Sequence, residues 1–260
     1  MDATLERIHI RLLDMMMVFD DLCKKHHLTY YLIGGSALGA LRHNGFIPWD
    51  DDVDIALPRS DFEKLEKILR SVYQNRPVNN VIYQSTFHTA PTGHFYLYDC
   101  KHQTAEHAVA IDIFPLDAVP RSRMQQKIQQ IWCQLYHVSA YRKPPQNRGK
   151  AWYVATKLFL IFTNKACLNL LEKISKKVIT HWNGKETGIV SNLYGLAGYK
   201  KEMVPQSFFG NPVYHQFETG MFPIPEKCHE YMTHIYGDYM ILPPLEKRIP
   251  KHIKEMEGNT

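Results

Sequence analysis

YYLIGGSALGALRHNGFIPWDDDVDIALPRSD, residues 30–61, sets a glycine turn, a cationic residue and a cluster of aspartates within one short stretch. Tyr30 to Ile33 is β-prone, Gly34-Gly35-Ser36 forms a turn, and Ala37 to Arg42 has the small and apolar residues of a short helix. A strand that passes through glycines into a helix presents bare backbone N–H groups and the positive end of the helix dipole, which suits a phosphate. Glycine also serves most ordinary turns, so Gly34, Gly35 and Ser36 alone do not decide between the two.

The residues that follow do. After a loop at Asn44-Gly45-Phe46-Ile47-Pro48, Val53, Ile55 and Leu57 alternate with Asp52, Asp54 and Ala56. A period of two predicts a strand from Trp49 to Leu57, with Asp52 and Asp54 on one face and the branched residues turned inward. Two carboxylates at that spacing repel unless a cation lies between them, and oxygen-only ligands favour Mg²⁺ or Mn²⁺. A solvated acidic loop would not interleave its acids with Val, Ile and Leu. A helix-loop-helix calcium site starting at Asp50 needs Gly at its sixth position and Glu at its twelfth, where this chain has Ile55 and Asp61.

Further along, Asp112 sits between Ile111 and Ile113 in AVAIDIFPLD, residues 108–117. A carboxylate in an apolar run is costly without a partner. On a neighbouring strand it would complete a metal triad with Asp52 and Asp54; backbone donors that satisfy a structural Asp are the plainer alternative. Asp117 reads as a helix or turn cap. Lys101 follows a candidate strand at Phe95 to Tyr98, either as a phosphate contact or as an exposed lysine.

GGSALGALRHNGFIPWDDDVDIALPRSDFEKL, together with IDIFPLD (111–117) and FPIPEKCHEYMTHIYGDYMILPPLEKR (222–248), resembles the LicD family of phosphocholine transferases in the nucleotidyltransferase superfamily. The resemblance covers both ends of the chain and is weak over about 119–200. It implies an α/β (α+β) fold: a nucleotidyltransferase-like mixed sheet core at 1–118, a basic helical insertion at 119–200, and a C-terminal segment, 201–260, that completes the substrate site. It also implies Mg²⁺-dependent transfer of phosphocholine from CDP-choline to a sugar hydroxyl of a cell-surface glycan (teichoic acid or lipopolysaccharide type) or its lipid-linked precursor. In that scheme Gly35 and Ser36 cradle the diphosphate, Asp52 and Asp54 hold the metal, and Asp112 shares it or takes the acceptor's proton. Arg42 neutralises the leaving CMP, and Arg248 is a substrate-side charge. Trp49, Tyr98, Phe114 and Tyr236 are candidates for an aromatic cage around a quaternary ammonium. Three rivals stay open: nucleotidyl transfer from an NTP, transfer of ribitol phosphate or phosphoethanolamine, and a non-catalytic glycan- or nucleotide-binding module.

The rest of the chain supports this core. Leu5, Ile8, Leu12, Met15, Met16, Phe19 and Leu22 recur at helical spacing, and acids near Met1 argue against a signal peptide. Five cysteines without a C-x-x-C suggest reduced thiols in a cytoplasmic protein. From Val119 to Thr180, twelve Lys or Arg stand against one acid, Glu172, while the whole chain is only +5. This segment reads as two long helices about a break at Lys143-Pro144-Pro145, the second rich in aromatics. Lys157 and Lys165 interrupt it too soon for a membrane span, which needs about 20 apolar residues. It suits peripheral contact with the inner face of a membrane, an anionic polymer, or plain solvation; no nucleic-acid-binding module accompanies the charge.

Overall fold

The computed structural model describes residues 3–71, 78, 82–89, 95–99, 109–144, 149–193 and 198–250. Helix α1 (Ala3–Lys25) opens the chain, and its predicted apolar stripe is the core: Leu12, Met15, Met16 and Phe19 are at most 1% exposed. Strand β1 (Tyr31–Leu32) leads through Gly34 into α2 (Gly34–His43), then β2 (Val53–Pro58) and α3 (Arg59–Ser71). Strands β3 (Ile82–Thr89), β4 (Phe95–Asp99) and β5 (Ala110–Ala118) complete the central path, whose spatial order is β1-β2-β5-β4-β3.

The sheet is mixed, as expected. Strand β2 runs parallel to β5, and the β1–β2, β4–β5 and β3–β4 pairs are antiparallel. Val53, Ile55, Ile111 and Ile113 are at most 1% exposed, so one face of the central pair is fully covered. The expected strand at 49–57 is shorter at its start: regular pairing begins at Val53, and Asp50, Asp51 and Asp52 lie in the irregular stretch between the Pro48-Trp49 turn and the strand. The pleat argument therefore places Asp54, and the irregular stretch places the other three. Pro58 closes the strand, and the helix starts one residue later.

The basic segment forms three helices where the sequence suggested two: α4 (Arg123–Tyr141), α5 (Lys150–Phe162) and α6 (Lys165–Ile179). The extra break lies at Thr163-Asn164, where the Asn164 side chain accepts the Cys167 N–H at 2.9 Å and caps a new helix. Strands β6 (Ile189–Ser191) and β7 (Met203–Pro205) then extend the sheet from the end of β5. The hairpin β8 (Val213–Phe217) and β9 (Gly220–Ile224) follows, then α7 (Cys228–Tyr236), which stops at Gly237. Among the described residues, no helix is long and apolar enough to cross a membrane.

Asp117 is not a cap. It is fully buried, and Arg59 forks onto it with Nε–Oδ1 at 2.7 Å and Nη2–Oδ2 at 2.6 Å. Asn183 adds a third donor at 2.6 Å and accepts the Ala118 N–H at 2.7 Å. Beside it, fully buried Gln129 donates to the carbonyls of Ala118 and Ile179 and accepts from the Tyr199 hydroxyl. Satisfied polar groups of this kind fix where helices meet the sheet end.

Candidate functional site

Two glycines let the site close. Gly34 has φ +54, a conformation that side chains rarely adopt, and a Cβ there would lie 2.7 Å from Asp54 Oδ2. A Cβ on Gly35 would lie 2.5 Å from Asp50 Oδ2. Without side chains, the first turn of α2 can stand directly against both carboxylates. Ser36 is buried, and its Oγ accepts the Asp54 N–H at 2.9 Å, which ties the helix start to β2. Its hydroxyl keeps one proton to donate. We expect Gly35→Ala to displace the Asp50 carboxylate and lower turnover by about a hundredfold while the protein stays folded. Steady-state assays beside thermal unfolding check this, and wild-type turnover would rule out the close approach as functional.

The aspartates fall into two connected groups. Ligand oxygens of Asp50, Asp51 and Asp52 lie within 4.8 Å of one another. Asp54 and Asp112 are Cα partners across the parallel β2–β5 pair, both half-buried, and Asp112 also pairs with Tyr96 of β4. The set expected from sequence was Asp52, Asp54 and Asp112. The structure sets Asp54 opposite Asp112, and brings Asp52 together with Asp50 and Asp51. The donor set is oxygen-only and crowded with like charge, which fits a hard divalent cation.

Helix α7 closes over this cluster. Tyr231 is buried against the Gly34 backbone, and its phenol is pushed well up by burial and by the nearby Glu202, with Asp54 contributing less. Tyr236 remains 46% exposed, at the rim. Its phenol is also pushed up, first by burial of its inner end, then by Asp54, Glu202, Asp50 and Asp52. One phenol therefore senses three of the clustered aspartates. Tyr236 was named from sequence only as a cage aromatic; Tyr231 was not singled out.

A cationic edge lies at the other end of α2. Arg42 Nη1 donates to the Tyr239 carbonyl at 2.7 Å and its Nε to His43 Nε2 at 2.9 Å. Arg248 lies over the Trp49 ring at 5.4 Å from its centroid and donates to the Pro243 carbonyl at 2.8 Å. Burial holds the Arg42 guanidinium below its ordinary range, and the charge of Arg248 adds to the effect. Arg248, expected to touch substrate, thus lies over Trp49 and near Arg42, two further expected contacts about two hundred residues earlier in the chain. Phe114 is 9% exposed and packs in the hydrophobic core. Lys101 and the Tyr98 side chain lie outside the described residues.

The loop that carries the aspartates is held from three directions. His9 of α1 hydrogen-bonds the Asp50 carbonyl through Nε2 at 2.7 Å and stacks on Phe46 with ring centroids 4.3 Å apart. Glu218, in the β8–β9 turn, accepts the Phe46 N–H at 3.0 Å and donates its own N–H to the Asn44 carbonyl at 2.7 Å. Phe46 meets Phe217 edge-on at 4.8 Å. Neither His9 nor Glu218 was visible as a site residue from sequence, because each acts on a loop far away in the chain.

Residues 27–147 match a family model described as LicD/FKTN/FKRP, nucleotidyltransferase domain. Over 271 aligned residues, 97% of each chain, the protein is 28% identical to the lipopolysaccharide cholinephosphotransferase LicD of Haemophilus influenzae. Shorter matches are to uncharacterized proteins of Rickettsia prowazekii, 38% identical over 60 residues (23% of each chain), and Rickettsia typhi, 36% over 64 residues (25% of this chain and 21% of the other).

Proposed function

We propose, from the premise that the chain belongs through residues 27–147 to the LicD family, that it transfers phosphocholine to a sugar hydroxyl of a cell-surface glycan. The acceptor is of lipopolysaccharide type or its lipid-linked precursor. The donor is CDP-choline and the leaving group CMP. The observation that carries a phosphoryl-transfer reading is the approach of Asp54 and Asp50 to the glycine start of α2, with Asp51 and Asp52 grouped beside Asp50, and the Arg42–Trp49–Arg248 edge at the other end of the helix.

In this reading the acceptor oxygen attacks the phosphorus of phosphocholine. The bond from that phosphorus to the CMP oxygen breaks, and CMP departs as a phosphate monoester. The N–H groups at Gly35 and Ser36 bind the diphosphate at the positive end of the helix dipole. Asp112, opposite Asp54, receives the hydroxyl proton or shares the cation. Mg²⁺ or Mn²⁺ held by Asp52 and Asp54, with a further carboxylate from Asp50 or Asp112, would neutralise charge on the diphosphate. Arg42 and Arg248 hold the cytidine-side phosphate, where two guanidiniums favour an anion. A lipid-linked acceptor would bring the protein to a membrane surface, and the basic segment 119–180 is the side that faces it.

The test is CMP release from CDP-choline in the presence of cell-envelope glycan, with and without chelation of divalent cations. The expected result is CMP release that stops on chelation and returns with Mg²⁺, with choline appearing on the glycan. Consumption of CDP-ribitol, CDP-ethanolamine or an NTP in place of CDP-choline would overturn the donor and keep the site. Silence with every donor would overturn the transfer reading.

A further inference from the structure

Helix α5 inverts the usual pattern of a surface helix. Among its thirteen residues only Thr156 is buried. The stripe opposite Thr156 is Val154, Leu158, Ile161 and Phe162, at helical spacing, and these side chains are 53%, 51%, 64% and 85% exposed. A surface helix ordinarily turns such a stripe to the core and its charges to water. Here the apolar stripe faces outward, bordered by Lys150 and Lys157, and the helix contains no acid. Trp152 and Tyr153 lie on the Thr156 side of the helix, 36% and 38% exposed, and are not part of the outward stripe.

We infer that the outward face of α5 is an interfacial anchor that lies on an anionic phospholipid surface, with Val154, Leu158, Ile161 and Phe162 among the acyl chains and Lys150 and Lys157 at the headgroups. This narrows the membrane side of segment 119–180 to one helix face, and rests on that reading only for where the surface lies. Thirteen residues rise about 20 Å, too short to cross a bilayer but long enough to lie in its interface. Charge chooses the occupant. Twelve Lys or Arg against one acid between Val119 and Thr180 complement an anionic surface. A second copy packed symmetrically on the same face would set lysines against lysines. Leu170 and Ile174 of α6 are also apolar and exposed, 59% and 42%.

The experiment is flotation of the full chain with vesicles of phosphatidylcholine alone, or with one part in four phosphatidylglycerol, in the absence of donor and acceptor. Binding to the anionic vesicles is expected, weakening with salt, with little binding to phosphatidylcholine. Ile161→Ser with Phe162→Ser should lower partitioning about tenfold or more, and so should Val154→Gln with Leu158→Gln. Far-UV circular dichroism should match the wild type, since these side chains are exposed. Lys150→Gln with Lys157→Gln should weaken binding mainly at low salt. Failure of the wild type to float, or unaltered flotation of both apolar pairs, would overturn the anchor. So would sedimentation that shows a wild-type dimer converted to monomer by the same substitutions. Because binding is read without turnover, this outcome is separate from that of the CDP-choline assay.

Discussion

Asp54→Asn is expected to cut CMP release from CDP-choline by about a thousandfold or more, and to leave the melting temperature unchanged or slightly raised. Asn keeps the shape of the side chain, and the Asp54 N–H that donates to Ser36 Oγ belongs to the backbone, so the tie between β2 and α2 survives. What is lost is one negative charge, set beside Gly34 and opposite Asp112. Removing a carboxylate from a crowd of them relieves repulsion in the folded protein, whereas a charge that holds a cation against a diphosphate is worth several kcal/mol, on the order of a thousandfold in rate. Function and stability therefore move in opposite directions. Asp52→Asn should behave alike, since Asp52 lies within ligand distance of Asp50 and Asp51 in the same acidic cluster. Rates measured at saturating CDP-choline and Mg²⁺, beside a thermal melt, check both. Full activity in either variant would remove the carboxylates from the reaction.

Asp117→Ala should destabilise the fold by about 3–5 kcal/mol, the range for breaking a buried ion pair from one side. Arg59 is 6% exposed and lies 5.2 Å from the Phe62 ring centroid, so its guanidinium is left largely buried without its bidentate partner once the carboxylate is gone. Asn183 also loses its acceptor. A urea titration should show the midpoint shift with little change in slope. The pair Arg59→Met with Asp117→Leu should recover much of the loss, because apolar side chains of similar size replace both charges. A loss under about 1 kcal/mol in Asp117→Ala would mean that water reaches Arg59. This pair joins the start of α3 to the end of β5, so it also holds the β2–β5 register that sets Asp54 opposite Asp112.

Local features of the fold were legible in the sequence because their causes are local. The stripe from Leu5 to Leu22 and the alternation of Val53, Ile55 and Leu57 each follow from spacing within one element, and each is present. The Asp54–Asp112 neighbourhood was also readable, since an acid inside an apolar run announces a need for a partner, whereas the expected turn at Gly34-Gly35-Ser36 is instead the first turn of α2. Features that rest on distant pairing were not. Asp117 resembles a cap until Arg59 is placed beside it, and its partner is 58 residues away. Asp50 and Asp51 join Asp52 because an irregular stretch precedes the strand, where the period-two rule does not apply. The break at Asn164 carried a signal, an Asn three residues before Cys167, that the unbroken apolar composition on either side hid.

The latch on the aspartate loop bears on how the protein comes into being. The acidic stretch is made early, between Asp50 and Asp54, whereas Glu218 and the Tyr239 carbonyl that accepts from Arg42 are made at the far end of synthesis. A ribosome that has already emitted every clustered carboxylate has still to deliver the pieces that frame them. Until the β8–β9 hairpin is made, the loop before the acidic strand lacks the contacts of Phe46 and Asn44 with Phe217 and Glu218.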